Sequence, residues 1–110
     1  MGKSFVMDAV MKEAVDQRSS AAELRRQAGS WLKARRIELG LSQRTLAERV
    51  NMEYYTFISQ IEAGKGRVPA ERLRHWAQAL EMDAAEFAIT LMKYYDPHNY
   101  ELIFEKSQHS

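Results

Sequence analysis

Between Leu41 and Gly64 the apolar residues fall into two brief sets at helical spacing, and this constrains the fold more than any other feature of the chain. Leu46, Ala47 and Val50 form the first set, with Ser42 as a cap in front and Asn51, which tolerates left-handed backbone, behind. Tyr54, Phe57, Ile58 and Ile61 form the second, ending at Gly64. The pattern predicts a helix over 43–50 and another over about 54–63, side by side across a tight turn. Ala47 is small enough for close helix contact, and Ile58 and Ile61 face the core. Two short helices of this kind suit an arrangement in which the first braces the second, leaving the second's outer face free to enter a DNA major groove.

The rest of the chain also reads as helix. Val6, Val10 and Ala14, flanked by Met7, Met11 and Val15, predict an N-terminal helix over 5–17. Ser20 and Glu23 have the spacing of a capping box, predicting a second helix over 21–39 that stops at Gly40. Pro69 suits the first position of a helix through Leu73, Trp76, Ala77 and Leu80. Asp83 and Glu86 open another, carrying Phe87, Leu91, Met92 and Tyr95. Asp96-Pro97 signals a short final helix, although Tyr100, Leu102 and Phe104 also alternate as a strand would. The expectation is an all-α chain in three segments: an N-terminal helical extension (1–19), a five-helix domain (20–95) and a C-terminal arm (96–110).

Composition narrows the function. At 110 residues there is room for one domain with a modest core, which disfavours large cofactor folds. The absence of Cys removes disulfides and thiolate chemistry and fits the cytoplasm, the expected location, and no secretory signal or membrane span is expected. His75, His98 and His109 lack metal-ligand spacing, and neither a nucleophile elbow nor a phosphate-binding glycine loop occurs, so no metal, cofactor or enzymatic activity is expected. A net charge of +1 hides an uneven distribution. Residues 25–74 carry eleven bases against five acids, a net of +6, while the flanks carry five bases against ten acids, a net of −5. The middle segment therefore suits a polyanionic partner, the alternative being a solvated charged face.

The motif SQ-x-x-LA at 42–47, followed by I-S-x-I-E-x-G at 58–64 and a basic loop, resembles the Cro/cI-type helix-turn-helix family of lambda-repressor-like DNA-binding domains. The resemblance covers roughly residues 27–95 and implies a five-helix fold, here with an extra N-terminal helix and a short C-terminal arm. It implies DNA base contacts by Tyr55, Thr56, Ser59 and Gln60, and phosphate contacts by Gln43, Arg44, Lys65 and Arg67. Gln and Thr at such positions suit adenine edges and the thymine methyl, while the basic loop supplies affinity more than specificity. The resemblance further implies a partly buried ion pair between Arg36 and Glu62. Two departures stand out: the stretch from Ala47 to Ile58 is one residue longer than is usual, and Asn51 replaces the usual turn glycine. Tyr54 and Phe57, bulkier than is common there, are expected to pack into the core or its rim.

The expected function is a sequence-specific duplex-DNA-binding transcriptional regulator, a repressor, occupying an inverted repeat as a homodimer. One recognition helix reads few base pairs, so specificity calls for two half-sites. The aromatic tail is expected to supply the dimer contact. Rival readings are the antitoxin of a toxin–antitoxin pair, with a toxin as a further partner, and a protein-interaction module that does not bind DNA.

Overall fold

The structure, a computed structural model, describes the backbone of residues 2–105 and the side chains of residues 20–104. Among the described residues there are six α-helices and no strand. They are α1 (Gly2–Glu38), α2 (Gln43–Arg49), α3 (Thr56–Glu62), α4 (Leu73–Ala79), α5 (Ala84–Tyr95) and α6 (Pro97–Tyr100). A 3-10 turn (Ala70–Arg72) leads into α4, and a π-helical turn (Glu101–Glu105) follows α6, so the arm is helical rather than extended.

One expectation is corrected at the start of the chain. The expected boundary between an N-terminal helix and a second beginning at residue 21 is absent, and α1 runs through 37 residues without a break. Its length, about 55 Å at 1.5 Å per residue, accounts for most of the 58 Å long axis of the molecule. The reason lies in competing local terms. No Gly or Pro stands near Ser20 to stop a helix, an interior Ser costs only a fraction of a kcal/mol, and a new helix would need a second costly nucleus. Glu23, expected to close the capping box, instead accepts from Arg26 Nε and Nη2 at 3.1 and 2.8 Å. The hydrogen bonds to Arg26 and Gln27 hold its carboxyl below the usual range. The apolar stripe expected over 5–17, and His109, lie outside the described side chains.

Four helices end in the same way. After α1, α2, α3 and α4, a left-handed residue follows the cap, at Gly40 (φ 72°), Asn51 (φ 56°), Gly64 (φ 81°) and Glu81 (φ 55°). In each, the next N–H reaches back across the turn: Leu41 to Arg36, Met52 to Ala47, Lys65 to Gln60 and Met82 to Ala77, at 2.8–3.0 Å. These bonds satisfy carbonyls that a helix end leaves without partners. Gly40, Asn51 and Gly64 suit that geometry by residue type; Glu81 does not. Its turn is held from outside, because Arg35 donates to the carbonyls of Leu80 and Glu81 at 2.9 and 3.0 Å.

The core gathers one face from each main helix. Ala28 and Leu32 of α1, Leu46 of α2, Ile58 of α3, Trp76 and Leu80 of α4, and Phe87 and Leu91 of α5 are all buried. Trp31 of α1 meets Phe87 with ring centroids 5.6 Å apart, fixing α5 on α1. Asp83 caps α5 by accepting from the Glu86 N–H at 3.0 Å, as its position predicts. Pro69 stands one step earlier than expected, before the 3-10 turn, where its carbonyl accepts from Arg72 N at 2.9 Å.

Glycine decides the approach of α1 to α3. A Cβ on Gly29 would overlap the backbone carbonyl of Glu62, so the two helices touch main chain to side-chain-free surface. At Gly64 a Cβ would lie 2.8 Å from the Arg26 backbone nitrogen, so the turn after α3 is pressed against the same helix. These contacts position α3.

Candidate nucleic-acid interface

α2 and α3 stand at the two ends of a six-residue turn. Ser42 caps α2 by accepting from Thr45 N at 3.0 Å. α3 begins two residues later than its apolar spacing predicts, but Tyr54 and Tyr55 carbonyls already accept from Phe57 and Ile58 N–H, so the first turn of helix forms ahead of it. Ile58 and Ile61 are buried, which turns Thr56, Ser59 and Gln60 outward, all three exposed.

A polar cluster locks the far end of α3. Glu62 is buried and accepts from Arg36 Nε at 2.7 Å, from Arg36 Nη2 at 3.0 Å and from Gln43 Nε2 at 3.1 Å. Arg36 Nη1 also donates to the Leu41 carbonyl at 2.8 Å. One carboxylate thus ties together α1, the start of α2 and the end of α3. Burying such charges is costly, and the bidentate geometry with every group paired is what offsets the cost. Gln43 turns its amide nitrogen inward to this cluster.

The aromatic residues before and within α3 require a second correction. Tyr54 and Phe57 do not enter the core: they are 56% and 45% exposed, with ring centroids 6.1 Å apart. Ile58 and Ile61 already fill the inner face, and the longer turn carries the two rings outward. Tyr55 is 46% exposed, with the Arg44 guanidinium carbon 5.3 Å from its ring centroid. The attraction between cation and ring face holds Arg44 beside the start of α3.

The basic residues divide by partner. Arg49 and Arg72 donate to the carbonyls of Ala79 and Val50, so their charge is used to hold helix ends. Arg67 Nη2 lies 2.9 Å from Asp96 Oδ2, and its guanidinium carbon stands 4.6 Å over the Tyr95 ring. Tyr95 Oη in turn accepts from Val68 N at 3.3 Å, and burial pushes its phenol above the usual value. Asp96 therefore spends its side chain on Arg67 and not on capping α6. Lys65 is exposed next to α3. Sequence reasoning did not find Gly29, Arg35 or Asp96 as positioning residues. Only the small size of Gly29 within an apolar helix face carried a signal.

Two consecutive helices, the first braced and the second presenting a polar outer face beside exposed cations, define a helix-turn-helix protein. The helix-turn-helix family model matches residues 32–87, just over half of the chain, and the chain belongs to the Cro/cI-type helix-turn-helix family, whose members are DNA-binding regulators. No curated protein is similar enough to count as a relative. Among the described residues no helix is long and apolar enough to cross a membrane.

Proposed function

We propose that this protein is a transcriptional repressor that binds an inverted-repeat operator in duplex DNA as a homodimer, acting in the cytoplasm. The observation that carries this reading is the outer face of α3, where Thr56, Ser59 and Gln60 are exposed on a helix whose inner face and far end are both fixed. α3 lies in the major groove, with Gln60 bonding a base edge, Thr56 and Ser59 offering hydroxyls, and Tyr55 flanking them. Arg44, Lys65 and Arg67 meet phosphates on either side, and Gln43 supports the register through Glu62. Two copies place their α3 helices about one helical turn, ~34 Å, apart. The exposed Leu102 and Ile103 on the C-terminal arm give the dimer an apolar contact away from the cationic face.

Selection of binding sites from random duplexes, with mass measured by light scattering, tests this directly. The expected result is a short palindromic site and a dimer mass. Recovery of no enriched sequence overturns it.

A further inference from the structure

Three aromatic residues in four positions, all exposed, stand where the turn meets α3, and the polar recognition face does not account for two of them. Tyr54 and Phe57 pack on each other and are each about half exposed. Scattered exposed apolar side chains need no explanation, but a paired cluster on a binding face does.

We propose that Tyr54 and Phe57 form an apolar edge that reads thymine 5-methyl groups in the major groove; this rests on the DNA-binding reading above and adds a base to its code. Charge selects the occupant. Arg44 is held over Tyr55, which lies between Tyr54 and Phe57 in sequence, and Lys65 is exposed after α3, so a second copy docked on this end of α3 would set like charges against each other, whereas DNA neutralises them. The thymine methyl is the apolar group that the major groove offers, so an apolar side chain placed there distinguishes thymine from the other bases.

The test uses the selected operator with single thymines replaced by uracil, which keeps the base pair and removes only the methyl. The intact protein is expected to lose about fourfold in affinity at one or two positions, as burial of one methyl predicts. Phe57→Ala and Tyr54→Ala are expected to bind the thymine and uracil operators equally at those positions, while Phe57→Leu keeps the difference. Both alanine variants should melt as the parent does, because the rings are exposed. A site that is selected and bound tightly, yet is indifferent to uracil throughout, overturns this assignment and leaves the DNA-binding reading intact. Failure to select any site overturns both. Alanine variants that lose dimer mass instead of thymine preference make the pair a protein contact, which also overturns the proposal.

Discussion

Arg67 is held by Asp96, Nη2 to Oδ2 at 2.9 Å, so the loop that follows α3 is joined to the end of α5 by an ion pair at the surface. A phosphate arriving at this loop competes with the Asp96 carboxylate for the same guanidinium. Both side chains are about half exposed, and pairs of this kind contribute at most about 1 kcal/mol. Asp96→Asn is therefore expected to raise affinity for every DNA sequence by about threefold at low salt, while Arg67→Ala lowers it for every sequence and reduces the slope of log affinity against log salt by about 1. Titrations at several salt concentrations measure both. An unchanged affinity in Asp96→Asn together with an unchanged slope in Arg67→Ala would remove Arg67 from the interface.

The Arg36–Glu62 pair behaves differently because it is buried. Removing one partner leaves the other as an uncompensated charge, at a cost of about 3–5 kcal/mol. Glu62→Ala and Arg36→Ala should each shift the denaturant midpoint strongly. Arg36→Met with Glu62→Leu should recover much of the loss, since a well-packed apolar pair avoids the desolvation cost. The double variant also removes the acceptor of Gln43, so DNA binding should fall even where stability returns. Equilibrium unfolding and DNA titration of the same three variants separate the two effects.

Gly29→Ala tests the contact of α1 with α3. In an isolated helix this change stabilises by about 1 kcal/mol. Here the added methyl meets the Glu62 backbone carbonyl, which cannot turn aside as a flexible side chain does. The overlap outweighs the gain in propensity, and a net destabilisation of about 3 kcal/mol is expected. A thermal melt that moves upward would show that α1 and α3 stand farther apart than described.

The residues that were legible in the sequence are those whose signal is local. Gly40, Asn51 and Gly64 marked helix ends because residue type alone favours a positive φ there. Asp83 marked a start because its carboxylate bonds an N–H three residues on. Glu81 was not legible, since its left-handed turn is held by Arg35, 46 residues away in sequence. Ser20 misled because a capping box and a continuing helix look alike in sequence, and with no Gly or Pro beside it the helix runs on. Tyr54 and Phe57 misled for another reason: spacing says which residues share a face, not how many side chains that face can bury. The charge of residues 25–74 was read as one surface, yet Arg35, Arg36, Arg49 and Arg72 are spent on carbonyls and on Glu62.

Gln60 separates recognition from attachment. Its side chain is exposed on α3, away from the buried Ile58 and Ile61, so Gln60→Ala should leave folding unchanged. A bidentate amide–adenine contact discriminates by about 1–3 kcal/mol, so the variant should lose preference about five- to a hundredfold at one position in each half-site. Preference elsewhere in the site should persist, because Thr56 and Ser59, also exposed on α3, are proposed to meet other bases along the same groove. Arg67→Ala provides the contrast, lowering affinity without altering the ranking of sequences. Binding-site selection repeated with Gln60→Ala, and with Tyr55, Thr56 and Gln60 all changed to alanine, reads this out. If the triple variant selects the same site as the parent, base recognition does not reside on α3, and the groove is read by another part of the chain.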